Sequence, residues 1–292
     1  MYRLSTINQR RMLETSTAEA SQAIALAAQL LGDSTAGLVF DAENHRYWLG
    51  NRELRSVSSI VESYAPFDTM AVAKRCSKNP RHELYGLPPE KIASIWKQKG
   101  EEAAENGTKL HAFGEACYMI KKGTPEEMDA AFWDRYDTTT GLEARDIKEE
   151  AVARWWETLD LDRYVLVAAE TRIANPQYQY AGTFDLLLYD LAEHYYVQKD
   201  YKTNKDLFRW YGGHLRAPLS IIKDDDHGKY TLQQNLYRLE LENLNLHVGR
   251  MDLIWIKEDG SLEEIPIEDY QQLIRYAMAE EVRNNRNLFN QF

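Results

Sequence analysis

Apolar positions recur at helical spacing through the first 33 residues, and the run stops at Gly32-Asp33, which predicts an N-terminal helix. A hairpin pattern follows: Gly37-Leu38-Val39-Phe40, a turn through Asp41 to Asn44, then His45-Arg46-Tyr47-Trp48-Leu49 before Gly50-Asn51. Ser56, Ser58 or Ser59 is placed to cap a short helix running through Ile60 to Tyr64, with Pro66 marking its end. Ala71 to Lys122 reads as mostly helical, with breaks at Asn79-Pro80 and from Gly86 to Pro89. Asn106-Gly107-Thr108 is expected to restart the chain, Thr108 capping a helix through Tyr118. A further helix is expected over Gly141 to Thr158.

The texture then turns to short β-type runs. Tyr164 to Glu170, Gln179 to Tyr189 and Tyr195 to Thr203 read as strands, divided by Asn175-Pro176 and by Asp190 to Glu193. Leu207 to Lys229 has little periodicity and reads mostly as loop. Tyr230 to Leu244 is an amphipathic helix, Val248 to Ile256 one more strand, and Ile267 to Asn287 a closing helix. This order predicts an α/β core carrying an N-terminal helical subdomain with a β-hairpin, divided into residues 1–105 and 106–292.

The strand residues carry the chemistry. Asp185 and Asp200 lie fifteen apart, on segments able to pair, and Lys202 follows two places after the second acid. Residues i and i+2 of a strand share a face, so Asp200 and Lys202 project together. Two bare carboxylates about 4 Å apart repel by roughly 4 kcal/mol at an effective dielectric of 20. A divalent cation removes that repulsion, and Lys202 offsets part of it. Two carboxylates and one lysine on neighbouring strands make a minimal site for metal-assisted phosphodiester hydrolysis.

Composition changes this picture little. With 44% hydrophobic residues in 292, the chain has material for a packed core. Cys76 and Cys117 are its two cysteines, too few for a disulfide framework or a thiolate-bound cluster, which suits a reducing cytoplasm. No apolar run is long enough for a bilayer, and Ala18 to Leu31 reads as an amphipathic helix rather than a signal peptide. A net charge of -11 argues against coating DNA by bulk electrostatics, though not against a locally basic groove on an acidic body.

Four blocks, taken together, resemble the PD-(D/E)XK nuclease superfamily, in its RecB-like and bacteriophage exonuclease branch. They are Gly107-Thr108-Lys109-Leu110-His111-Ala112-Phe113-Gly114-Glu115, Ala181-Gly182-Thr183-Phe184-Asp185, Asp200-Tyr201-Lys202-Thr203, and Gln233-Gln234-Asn235-Leu236-Tyr237. The D-x-K triplet alone is weak; four blocks in order carry the likeness, and softer similarity extends from Phe40 to Tyr237. The resemblance implies a restriction-endonuclease-like core, with a central mixed β-sheet flanked by helices. It further implies a Mg²⁺- or Mn²⁺-dependent deoxyribonuclease, most readily an exonuclease of phage or prophage DNA recombination or degradation, leaving 5′-phosphate ends.

In that reading Asp185 and Asp200 ligate the metal, with the backbone carbonyl of Tyr201 as a further ligand. Lys202 positions or deprotonates the attacking water and stabilises charge on the phosphate. His111 and Glu115 share a helix face at i and i+4. Glu115 is the candidate to complete the metal shell, directly or through water, and His111 to touch metal or scissile phosphate. Glu170 is a candidate for a second metal or a nearby basic residue. Gln233 and Tyr237 also share a helix face and suit phosphate or sugar contacts. Trp96, Trp133, Trp155, Trp156 and Trp210 are candidates for a base-stacking platform, though most are expected in the core.

Two residue patterns depart from the family. Lys199 stands where an apolar residue is usual, which suggests a solvent-facing or edge-like place on the opposite face, or a contact to the nucleic-acid backbone. Asp224-Asp225-Asp226 is acidic for a loop facing DNA. Expected partners are DNA ends or single strands, a homo-oligomer, and a single-strand-annealing or recombination protein, with no membrane. The alternatives are a structure-specific or defence-related endonuclease, and a non-catalytic DNA-binding subunit that retains the fold.

Overall fold

The computed structural model describes residues 2–4, 18–42, 44 and 46–289. The helix expected over the first 33 residues is present as α1, Ala18–Ser34, and residues 5–17 lie outside the described set, as does His45 of the hairpin. Ala20, Ala23, Ala27 and Leu31 form the buried stripe of α1, at the i, i+3, i+4 spacing that an amphipathic helix requires.

A two-residue strand β1, Arg3–Leu4, precedes α1. The hairpin is β2, Leu38–Asp41, paired antiparallel with β3, Arg46–Leu49. A third strand, β4, Arg52–Ser56, continues it and also lies parallel to the central sheet. Its polar sequence hides it from a hydrophobic-pattern reading. Of the three serines able to cap the next helix, Ser56 does so: its hydroxyl accepts from Ser59 N at 3.0 Å, opening α2, Val57–Tyr64.

After α3, Thr69–Lys78, comes a 34-residue helix α4, Pro89–Lys122. The expected restart at Asn106-Gly107-Thr108 does not occur. Thr108 caps nothing; its hydroxyl donates to the Ala104 carbonyl at 3.0 Å inside the helix. One glycine, with helical hydrogen bonds on both sides, weakens a long helix without ending it. Helix α4 therefore runs unbroken across residues 105 and 106, and stops at Gly123, where φ is +87°.

Gly141 does not begin a helix either. Gly141–Glu143 is strand β6, flanked by β5, Tyr136–Asp137, and by β1 in a small three-stranded sheet. Helix α5, Ile147–Thr158, starts later because Asp146 caps it, accepting from Lys148 N and Glu149 N at 2.9 Å.

The main sheet is mixed. Its central strands are β7, Tyr164–Asn175; β8, Tyr180–Asp190; and β9, Tyr195–Lys202. Helix α6, Asp226–Asn243, then carries the chain over to β10, Val248–Ile256, which lies parallel to β9. An edge strand, β11, Leu262–Pro266, and the closing helix α7, Gln271–Phe289, complete it. The order is β11-β10-β9-β8-β4-β3-β2, with β7 on the other edge of β8. One apolar layer joins the sheet to α1, α2, α6 and α7; a second joins its other face to α4 and α5. The chain is thus α/β, a mixed sheet flanked by helices. No helix among the described residues is long and apolar enough to cross a membrane.

Lys199 is neither solvent-facing nor at an edge. It sits on a central strand, 3% exposed, with its ammonium 2.9 Å from Asp252 and 2.7 Å from Glu264. The acids of β10 and β11 explain how a lysine is accommodated inside a central strand. A buried charge persists where partners surround it.

Candidate functional site

Strand β8 forms a ladder with β7 along its whole length, so its remaining edge is shared by two partners. Tyr180 and Ala181 pair with β4, while Leu186 to Asp190 pair with β9. Residues 182–185 between them have no strand on that edge, and the sheet opens into a notch.

Asp185 and Asp200 flank this notch. The last β8–β9 pair is Leu186 with Lys199, and one step further in register sets Asp185 opposite Asp200 as the strands part. Where a ladder bond would fall, the Tyr201 N–H donates instead to Asp185 Oδ2 at 2.7 Å. The N–H and C=O of a strand residue leave on the same edge, so the Tyr201 carbonyl shares the notch side. Lys202 turns back to place its ammonium against Asp200 Oδ2. The two acids and the lysine converge.

Glu170 reaches the same point from β7. Ala169 pairs with Leu186 and Thr171 with Phe184, which places Glu170 across from Asp185. Its φ is +41°, a left-handed backbone costing roughly 1–3 kcal/mol for a non-glycine residue. The reason lies in the alternation. Phe184 and Leu187 pack in the layer of α6, while Leu186 and Leu188 pack in the layer of α4 and α5. Strict alternation would keep 184 and 186 together, so the strand pair switches faces at Glu170 and Asp185. The switch frees both carboxyl groups from either core.

Helix α4 supplies His111. A Cβ on Gly114 would stand 2.8 Å from the Tyr201 ring, so only glycine lets the helix settle this close to β9. One turn earlier, His111 Nδ1 lies 3.3 Å from both Glu170 Oε1 and Asp185 Oδ2. His111, Glu170 and Asp185 thereby gather their donor atoms within 4.8 Å of one another. Glu115, the expected companion of His111, is outside that group. Burial and the charge of Asp129 raise its pKa.

Helix α6 covers the notch from the other side. Gln233 Nε2 donates to the Tyr237 hydroxyl at 3.4 Å, and the Tyr237 ring fills the space a side chain on Gly182 would take. Tyr230, one turn before Gln233, lies with its ring 4.5 Å from the Lys202 ammonium and donates its hydroxyl to Asn204 at 2.7 Å. Sequence reasoning missed Tyr230, although its i, i+3, i+7 spacing with Gln233 and Tyr237 puts all three on one stripe. Gln234 points away and accepts from Gln198.

The electrostatics are those of carboxylates short of positive charge. Burial opposes ionisation of Asp185, but His111, Lys202 and the Tyr201 amide outweigh it and hold its pKa below the usual value. Burial and the charge of Asp185 push Asp200 up to about 6, despite Lys202. Burial likewise takes Glu170 up to about 7, Asp185 adding to the rise and His111 opposing it. Burial works against the cations His111 and Lys202, yet the acids outweigh it and hold both above their ordinary values. Glu170 Oε1 and Asp200 Oδ2 are sealed from solvent without a hydrogen bond of good distance and angle. Buried carboxylate oxygens beside one imidazole are a donor set that fits a divalent cation.

A cleft of about 670 Å³ opens from His111 and Lys202 along α4, with Lys99, Lys148 and Lys205 among its lining and Glu102 and Glu258 opposing them. Lys205 lies 3.8 Å from Glu258 and Lys99 4.0 Å from Glu83, so the lining carries both signs of charge. The acidic tract Asp224-Asp225-Asp226 is committed elsewhere: Asp225 caps α6 through Gly228 N at 2.7 Å, and Lys229 lies 3.4 Å from Asp224 and 3.8 Å from Asp226. Of the tryptophans, Trp155 and Trp156 are buried, while Trp133 and Trp210 are exposed. Compared with models of known protein families and with curated proteins, the chain matches none.

Proposed function

We propose that this chain is a metal-dependent nuclease with a restriction-endonuclease-like core, hydrolysing DNA phosphodiester bonds, and that it acts as an exonuclease. The observation that carries the reading is the convergence of Asp185, Asp200 and Lys202 at the notch between β8 and β9, joined there by Glu170 and His111. Asp185, Glu170 and His111 are the residues that would hold Mg²⁺ or Mn²⁺, with Asp200 and the Tyr201 carbonyl on the adjoining edge. The ion would supply Lewis-acid stabilisation and a more acidic water.

The chain's own groups account for the rest. Lys202, fixed between Asp200 and the Tyr230 ring, presents a positive charge where the phosphate gains negative charge. Gln233 keeps its buried Oε1 without a partner, and Tyr237 offers a hydroxyl beside it, so this pair is set to orient phosphate or sugar without reading bases. The lysines of the cleft hold the backbone on the approach.

The test is incubation of the purified chain with end-labelled linear DNA and closed circular DNA, with and without Mg²⁺ or Mn²⁺. Degradation confined to linear DNA in the presence of metal is expected. Cleavage of circles would make it an endonuclease, and no cleavage with any divalent metal would overturn the enzymatic reading.

A further inference from the structure

The segment after the catalytic strand leaves its aromatic residues outside. Four of the eleven large apolar side chains left exposed among the described residues fall between 208 and 221: Phe208, Trp210, Tyr211 and Ile221. The loop is not short of interior space, because Leu207, Leu215, Leu219 and Ile222 are all buried. These four anchors hold a defined shape. Leu215 N donates to the Ile222 carbonyl at 3.0 Å, Asp224 N to Gly213 at 3.0 Å, and the Trp210 indole N–H to the Gly213 carbonyl. Trp210 is 45% exposed and Tyr211 79% exposed on a built framework.

Cations are interleaved with these rings. The Arg209 guanidinium lies 5.2 Å from the Tyr211 ring centre, and the Lys223 ammonium 5.4 Å from that of Trp210. Neither cation has an acidic partner among the described residues, whereas the neighbouring Asp224 and Asp226 are paired with Lys229. A chain of contacts also leads from the proposed active site to the start of this segment. Lys202 lies over Tyr230, Tyr230 bonds to Asn204, the Asn204 carbonyl accepts from Trp255 at 2.7 Å, and Phe208 packs edge-on against Trp255 at 6.0 Å.

We propose that Trp210 and Tyr211, with Arg209 and Lys223, form a stacking surface for the unpaired bases of single-stranded DNA leading into the cleft. Each ring offers a base the face that its cation leaves open, and the cation over the other face meets the adjoining phosphate. A duplex hides its internal base faces, so the substrate that uses this surface fully presents a single strand or a single-stranded overhang. This assignment deepens the nuclease reading and rests on it for the direction of the strand.

The experiment measures binding of fluorescein-labelled oligo(dT) and of a blunt duplex in EDTA, so that no cleavage competes. Trp210→Ala with Tyr211→Ala is expected to weaken oligo(dT) binding about tenfold or more and to leave duplex binding unchanged. Trp210→Phe should retain most of the affinity. Should the double change lower the melting temperature, Tyr211→Ala alone, whose ring touches little, decides the matter by a several-fold loss. Oligo(dT) binding indifferent to both rings, in a chain that does cleave DNA, overturns this inference and leaves the nuclease reading. Ring-dependent oligo(dT) binding by a chain that cleaves nothing supports the surface and overturns the nuclease. A dimer that needs the rings, with oligonucleotide binding that does not, assigns the patch to a second copy and overturns the proposal.

Discussion

Glu170 and Asp185 meet across the β7–β8 ladder at the point where both strands change the face they present, and the His111 imidazole lies 3.3 Å from each. A regular ladder would have sent these carboxyl groups into the packed layers. The positive φ of Glu170 is the local strain that keeps them beside the notch.

Removing the reacting groups should stop the chemistry while sparing the fold. Asp200→Ala and Lys202→Ala are each expected to lower the rate on end-labelled DNA by at least about 10²–10³-fold, with DNA binding largely kept. Gln233→Ala should lose less. Ordinary turnover by either of the first two variants would refute the assignment of the site.

Two glycines of α4 should answer oppositely to the same change. A Cβ on Gly114 collides with the Tyr201 ring, so Gly114→Ala is expected to cost about 1–3 kcal/mol and to shift His111 off the acids. Gly107 has nothing within 4 Å, and Gly107→Ala should stabilise by about 0.5–1 kcal/mol. Urea unfolding of the two variants gives the comparison directly; equal effects would contradict the close approach.

Ion binding should register in stability. Mg²⁺ or Mn²⁺ is expected to raise the melting temperature of the chain, the rise growing with the logarithm of the ion concentration above its dissociation constant. Asp185→Asn and Glu170→Gln should each remove most of that rise, and Glu115→Gln should not, since Glu115 stands outside the donor group. A rise that survives both of the first substitutions places the ion elsewhere.

Lys199 belongs to stability. Lys199→Ala leaves Asp252 and Glu264 without their buried ammonium and is expected to cost about 3 kcal/mol. The dissociation constant for DNA should stay the same at a temperature where the variant is folded. Weakened binding with unchanged stability would restore a role at the nucleic-acid backbone.

Arg163 and Asp190 tie the start of β7 to the end of β8, through Nε at 3.0 Å and Nη2 at 2.6 Å. Burial opposes the Asp190 charge, but Arg163 and the amides of Ala192 and Glu193 outweigh it and lower the pKa. A group lowered in the native state stabilises above its unfolded value near 3.9, and that contribution fades as pH falls through the depressed native value. Asp190→Asn should therefore lose roughly 1–2 kcal/mol at pH 7 and approach the parent chain in strong acid. Melts at both extremes test it; a deficit that persists in acid would mean the loss is packing.

Much of this was legible in the residues. Strand periodicity located β8, β9 and β10, and i, i+2 geometry joined Asp200 to Lys202. What escaped was set by tertiary context. The pattern of Arg52–Ser56 is polar, because β4 is held mainly by pairing on both edges and buries Leu54 as its one core residue. Gly107 looks like a break, yet a helix with bonds on both sides absorbs it. Lys199 looks exposed because its acids, Asp252 and Glu264, arrive from strands more than fifty residues later. Tyr230 matters through a ring face under Lys202, a contact that no linear spacing to Lys202 encodes.

The length of α4 has a mechanical consequence. Thirty-four residues at 1.5 Å each make a rod of about 51 Å, carrying Lys99 at the mouth of the cleft and His111 over the acids. One hydrogen-bonded backbone joins the two, with Gly100 and Gly107 between them, so a movement of the outer turns is passed in part to the imidazole. Under the proposed function, contact at the entrance and alignment of the imidazole are mechanically linked.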